Sequence, residues 1–374
     1  MSAGRRFGRA TLGRASNLFE LGAGFLAANL RGPRSSLRRR PDHLCFYVTY
    51  RCNMRCRMCG IWTRQDSAGA DELSTEDIDR LLADPLFADL EYVNINGGEP
   101  NLRADLLDLA ALFLERFPRL KAVSLNSNGL PAETCVRNVR RMSELYAKRR
   151  VHLSVSISLH KVGPDFDAIA GIPDAYHKVM RSLEGLREAR GDEDFYLSVN
   201  CVMTPLNIRS LPEMAAWSER EKIPVNFALG EVRDRFCNAE MSSAIRFRDE
   251  EKKPLVEFLR GLARQKRTYR QHALRYDQLA DIVERGEKRT LACHYAMGGV
   301  VLGSDGLLYY CKNCKAIGDA RARSAQEVYF DPANIRYKRE ELFRTVCPVC
   351  PPYTYNLAEV KKDLLKILGY LGWG

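Results

Sequence analysis

Three cysteines crowd the stretch YRCNMRCRMCGIW: Cys52, Cys56 and Cys59. Thiolates are soft ligands that suit zinc or iron–sulfur clusters. Structural zinc sites favour paired Cys-x2-Cys units and close at four ligands, and no such set closes locally here. Three thiolates would leave one iron of a four-iron cubane without a protein ligand. An open metal position marks a reactive centre.

A second set gathers further along: Cys293, Cys311, Cys314, and then Cys347 and Cys350 in CPVC. GGVVLGSDGLLYYC reads as a hairpin about Asp305-Gly306, which carries Cys311 back beside the segment holding Cys293. Four thiolates suit a closed zinc or a closed iron–sulfur centre, and spacing does not name the metal; standing alone, such a site reads as zinc first. Cys45, Cys135 and Cys201 lie in strand or helix patterns and read as buried small apolar residues. His160 reads as a satisfied structural histidine before a substrate-facing one.

The elements that must position these groups follow from periodicity. Strands are expected at LCFYVTY, YVNIN, AVSLNS, HLSVSIS, FYLSVNCVM and VNFAL. Helices are expected between them at STEDIDRLLAD (capped by Ser74 or Thr75), DLLDLAALFLERF, AETCVRNVRRMSELYAK, AYHKVMRSLEGLREA and IRSLPEMAAWSERE. Strands alternating with helices imply a parallel sheet, open or curled into a partial barrel, with functional residues in the loops after the strand ends. Residues 230–290 turn charged and helical, and the cysteine-rich part after them reads as a separate small domain.

The chain of 374 residues carries a formal charge of +11. Nine arginines against Glu20 place +8 of it in residues 1–40, leaving about +3 (11 − 8) for the body. That balance argues against a nucleic-acid-coating surface on the folded part. Without a convincing secretory leader or a membrane-spanning stretch, the twelve cysteines read as metal ligands in a reducing cytoplasm.

Cys52-x3-Cys56-x2-Cys59 after the first strand resembles the cluster motif of the radical S-adenosylmethionine (SAM) superfamily. NGGEP (Asn96–Pro100) after the second strand is similar to that family's glycine-glycine-glutamate element, and NSNG (Asn126–Gly129) to its usual sequence after the third. The resemblance implies an α/β fold, a partial (β/α)6 TIM-like barrel. It implies that Cys52, Cys56 and Cys59 hold a 4Fe–4S cluster whose open iron is chelated by the amino and carboxylate groups of SAM. One electron would then split SAM to methionine and a 5′-deoxyadenosyl radical that abstracts hydrogen from substrate. Gly97 and Gly98 are expected to let backbone approach the ligand, and Glu99 to accept hydrogen bonds from an ammonium group. Ser156, Ser158 and Asn200 fall near the expected nucleoside region, with an ordinary strand residue as the other reading of each, and Asn128 is expected to bind cofactor. Met58 departs from the aromatic residue often found before the third cysteine, and Leu159 and His160 stand where many relatives have an acidic residue and glycine. Cys237, in the loop EVRDRFCNAE, is the candidate to return a hydrogen atom to a substrate radical.

Beside such a core, Cys293, Gly306-x4-Cys311, KAIGD (Lys315–Asp319) and Cys347-x2-Cys350 resemble the auxiliary-cluster extension called SPASM, in its short twitch form. That implies a second 4Fe–4S cluster, which accepts an electron from a substrate radical or relays one during reduction. Cys314 is then a spare thiol or replaces one of the four. The expected organisation is a basic amphipathic N-terminal extension (1–42), the partial barrel (43–235), a helical connector (236–290) and the SPASM/twitch-like domain with a C-terminal helix (291–374).

Leu18, Phe19, Leu21, Phe25, Leu26 and Leu30, and the terminal EVKKDLLKILGYLGWG, form amphipathic patterns. Three readings stand open for these ends: docking on the barrel, peripheral contact of residues 1–40 with the cytoplasmic face of a membrane, or, third, a mitochondrial presequence. Functionally, three readings also stand. The first is a radical SAM enzyme acting on a small or lipid-like molecule. The second is a radical SAM maturase of a peptide, ranked lower because only about 45 residues precede the cysteine loop and they read as arginine-rich and helical rather than as a peptide-recognition domain. The third is a zinc-stabilised binding protein. A flavodoxin or ferredoxin is the expected electron donor for a basic protein.

Overall fold

The computed structural model describes residues 36–64, 72–191, 195–265 and 272–351. Six strands pair in parallel in chain order: β1 (His43–Tyr47), β2 (Tyr92–Asn96), β3 (Ala122–Ser127), β4 (His152–Ser158), β5 (Tyr196–Met203) and β6 (Val225–Leu229). Helices α1 (Thr75–Leu82), α2 (Leu106–Arg116), α3 (Ala132–Ala147), α4 (Phe166–Ala170), α5 (Ala175–Ala189) and α6 (Leu211–Glu221) lie between them. Helix α1 starts at Ser74 because its hydroxyl accepts from the Asp77 N–H while the Asp77 carboxylate accepts from the Ser74 N–H.

Strands β2, β3 and β4 alternate strictly. Val93, Ile95, Val123, Leu125, Leu153, Val155 and Ile157 are buried, while the residues between them are half-buried on the opposite face. Strand β1 breaks the alternation, with all five residues buried. The reason lies in its neighbours. The sheet is open and continues past β1 through β7 (Gly299–Leu302), which is parallel to β1, then through antiparallel β8 (Leu307–Tyr309) and β9 (Gly318–Asp319). A strand covered on both faces and paired on both edges reads as a continuous apolar run. The cysteine-rich part, expected as a separate domain, is therefore joined to the barrel strands in one nine-stranded sheet.

At the other edge, α7 (Asp249–Arg264) and α8 (Ala273–Arg285) pack on each other. Tyr276 of α8 accepts from the Phe227 N–H at 3.3 Å, and Arg275 donates to the Phe227 carbonyl. These side chains satisfy backbone groups that edge strand β6 would otherwise leave open to a second chain. Among the described residues no helix is long and apolar enough to cross a membrane. The amphipathic patterns at 18–30 and 359–374, and with them the docking and membrane readings, lie outside the described residues.

Candidate metal and cofactor site

The cysteine loop leaves β1 and is held from three sides. Arg55 N–H donates to the Ala170 carbonyl at 2.9 Å and Arg57 N–H to that of Ile169 at 3.0 Å, so α4 fixes the middle of the loop. Asn53 donates to the Leu130 carbonyl at 3.0 Å and accepts from Asn128 at 2.7 Å, which ties the start of the loop to the segment after β3. Asn238, buried in the loop after β6, donates to the Met58 carbonyl at 2.9 Å and accepts from Arg233 N–H at 2.8 Å. Gly60 is required there, because a Cβ on it would collide with the Cys237 carbonyl.

Gly97 and Gly98 bring the loop after β2 close to the cysteine loop. Their backbone lies against the start of the cysteine loop, with Gly98 N–H donating to the Thr49 carbonyl at 2.8 Å and Glu99 N–H to that of Arg51 at 2.7 Å. A Cβ at Gly98 would fall inside contact distance of the Arg51 carbonyl. Glu99 is likewise committed to the protein. It is fully buried and accepts from Asn101 N–H (3.0 Å), the Asn101 amide (2.8 Å), Ser127 Oγ (2.8 Å) and Asn128 N–H (2.6 Å). Burial pushes its carboxyl up, and these donors pull the other way. Its role in this structure is to clasp the loops after β2 and β3. Below it, Arg103 donates to the Val48 and Leu73 carbonyls (2.8 and 3.2 Å) and pairs with Asp105. Arg103 was not singled out in the sequence, where it reads as one surface arginine among many.

All three loop thiols are pushed up by burial, Cys59 to about 12, with Cys52 and Cys59 acting on Cys56 as like charges. Thiols in such a setting ionise when a metal supplies the compensating charge. Asn128 Nδ2 lies 3.8 Å from Cys52 Sγ. Cys237 is exposed and has a left-handed backbone (φ 48°).

One face of the sheet carries a polar ladder that sequence reading picked out only at Ser156 and Asn200. Asn126 donates to Asn96 at 2.9 Å, Asn200 donates to Asn126 at 2.9 Å, and Ser198 donates to Ser156 at 3.1 Å. Asn94 joins Ser124 and Asn96. The signal was present as Asn or Ser at alternate positions within four successive strands: 94 and 96, 124 and 126, 154, 156 and 158, and 198 and 200. His160 is buried with Nδ1 accepting from Val202 N–H at 3.2 Å, a satisfied structural histidine. Cys45, Cys135 and Cys201 are buried as expected.

In the second set, Cys293, Cys311, Cys347 and Cys350 line one cavity of about 430 Å³. Cys314 is outside that lining and is tied to Cys311: its Sγ accepts from Cys311 N–H at 3.3 Å and donates to the Cys311 carbonyl at 3.4 Å. The loop after β6 links the two thiol sets. Asn313 donates to Glu231 at 3.1 Å and lies 3.3 Å from Cys350 Sγ, while Asn238 donates to the Glu231 carbonyl at 3.1 Å and to Met58 of the first loop. Among the described residues no three His, Cys, Asp or Glu side chains converge as ligands of a single metal ion.

A model of the radical SAM superfamily matches residues 46–217, which run from the end of β1 into α6 and take in every loop that holds the first three thiols except the one after β6. Those residues carry a radical SAM domain. The chain is similar to Fe-coproporphyrin III synthase of Methanosarcina barkeri (27% identity over 47% of this chain and 41% of that protein). It is similar also to GTP 3′,8-cyclase of Shewanella denitrificans (25%, over 53% and 56%) and to PqqA peptide cyclase of Bradyrhizobium diazoefficiens (28%, over 46% and 41%). The chain thus spans about half the length of the curated relatives it matches. Its fold resembles that of anSMEcpe solved with bound AdoMet and a Cp18Cys peptide, at a TM-score of 0.52 and 16% identity, covering 88% of this chain and 97% of that one.

The match supports a 4Fe–4S cluster and SAM as the cofactors to test against this site. The residues present fit that cofactor. Three thiols share one short loop that neighbouring elements hold in place, and their burial disfavours any charged state that a metal does not stabilise.

Proposed function

We propose that the chain is a radical SAM enzyme that acts on a small polar molecule, with a second, closed 4Fe–4S centre in the cavity of Cys293, Cys311, Cys347 and Cys350. The observation that carries the reading is that those four thiols line one cavity. A centre ligated four times by protein has no open iron, which suits electron transfer rather than substrate binding. We place Cys52, Cys56 and Cys59 around the first cluster, which together with SAM supplies a 5′-deoxyadenosyl radical when bound. Asn53, Asn128 and Asn238 hold that loop in register, and Glu99 clasps the loops after β2 and β3.

The ladder of Asn94, Asn96, Asn126, Ser156, Ser198 and Asn200 offers uncharged amides and hydroxyls, which favours a substrate with neutral hydrogen-bonding groups over a lipid-like one. A groove beside Asn53 supports an acidic flavodoxin or ferredoxin as electron donor. It is lined by Arg137, Arg140, Arg141, Lys178 and Arg181 against Glu133 and Glu144. Cys237 is assigned the return of a hydrogen atom to the substrate radical. Its replacement by alanine is expected to leave SAM cleavage intact and to remove substrate-derived product; unchanged product and stereochemistry would end that assignment.

The similarity to PqqA peptide cyclase favours a peptide as the second reading. Untargeted mass spectrometry of cells with and without this chain separates the two. Accumulation of an unmodified small polar precursor is expected, and accumulation of an unmodified peptide would overturn the first reading.

A further inference from the structure

The wall of the four-thiol cavity holds a cation. Lys338 opens a π-helical segment, Lys338–Val346, that runs directly into Cys347. A helix wound this wide is rare and is frequently found at functional sites. Here it sets a lysine at one end and a thiol at the other against the same space. Lys338 is 1% exposed and lines the cavity with Cys293, Cys311, Cys347 and Cys350. Its ammonium lies 4.8 Å from the ring centre of Tyr310 and 5.3 Å from that of Tyr329, and its hydrogen bond is to Tyr329 Oη at 3.4 Å. Among the described residues no carboxylate pairs with it.

An ammonium buried without a counter-ion is costly, and proteins keep one where a negative group compensates it. Burial draws the Lys338 pKa down to about 8, while the thiols of Cys311, Cys347, Cys314 and Cys293 act in the opposite direction. A 4Fe–4S centre held by four thiolates is an anion in both of its usual oxidation states, and more negative when reduced. A fixed cation in a weakly screened wall therefore stabilises the reduced form more than the oxidised one.

We infer that Lys338 is the built-in counter-charge of the second metal centre and a positioning residue that raises its reduction potential. The inference rests on the reading of this cavity as a cluster site. Arg235 acts on Cys311 and Cys314, and Arg289 on Cys347 and Cys350, as further positive charges, and both are left unchanged in the test.

The experiment uses the full chain with Cys52, Cys56 and Cys59 all replaced by alanine, so that any remaining iron belongs to the second centre. After anaerobic reconstitution, iron and sulfide are counted and the midpoint potential is read by EPR-monitored titration for Lys338, Lys338→Gln and Lys338→Arg. The expected result is about four irons per chain, a midpoint shifted clearly downward in Lys338→Gln, and a midpoint close to the parent in Lys338→Arg. A Lys338→Gln chain with parental iron and parental midpoint overturns the role of Lys338 alone. A parent that binds no iron overturns the second centre and this inference together. If Lys338→Gln takes up no cluster, loading of Lys338→Arg at the parental midpoint upholds the inference. Failure of both variants to load overturns it, since shape rather than charge is then what the position requires.

Discussion

A carboxylate can be buried without a cation when donors saturate it, and Glu99 meets that condition through Asn101, Ser127 and Asn128. Glu99→Ala would strand two backbone N–H groups and a hydroxyl, so a loss of about 3 kcal/mol in urea unfolding is expected. Glu99→Gln, which keeps one acceptor, should lose less. A second residue-scale expectation concerns pH. Burial holds His160 at about 4, below the ordinary value near ~6.5. A depressed folded pKa means stability is whole above about pH 6.5 and falls as the pH is lowered toward 4, by up to about 3 kcal/mol for this ring. His160→Asn, which keeps an acceptor for Val202 N–H, is expected to flatten that limb of the Tm-versus-pH curve. An unchanged limb would place the titration elsewhere.

At the scale of elements, the cysteine loop depends on how closely the loops after β2 and β6 pack on it. Gly98→Ala forces a Cβ into the Arg51 carbonyl; a cost of about 2 kcal/mol or more is expected, with iron lost preferentially from the first centre. Asn238→Ala is expected to shorten the lifetime of that cluster in chelator challenge while leaving the proposed second centre loaded. The elements themselves were largely legible. Strands β2, β3, β4 and β6 begin and end where the sequence pattern places them, because strict alternation between turn residues leaves little choice of register. The parallel pairing of β7 with β1 was not legible. GVVL and LCFY are both continuous apolar runs, and such runs say that a strand is buried without saying beside which partner. The π-helix was missed because KREELFRTV has the composition of an ordinary surface helix. At the site, the thiol spacing was readable from local sequence. The clasp at Glu99 and the buried Arg103 were not, because their partners lie on other loops and depend on tertiary packing.

Over the whole molecule, one open sheet carries both thiol sets at the β1 side, and the loop after β6 reaches across to join them. Electron delivery by a protein donor to the groove of Arg137 and Arg141 is expected to weaken as salt rises, while a small reductant such as dithionite is much less affected. The central claim is that Cys52, Cys56 and Cys59 hold the cluster at which SAM is cleaved. Its most direct test is 5′-deoxyadenosine formation by the anaerobically reconstituted full chain with dithionite, beside the chain in which all three are alanine. Formation by the parent and none by the variant is expected. A parent that yields no 5′-deoxyadenosine, or a variant that still yields it, would contradict the claim.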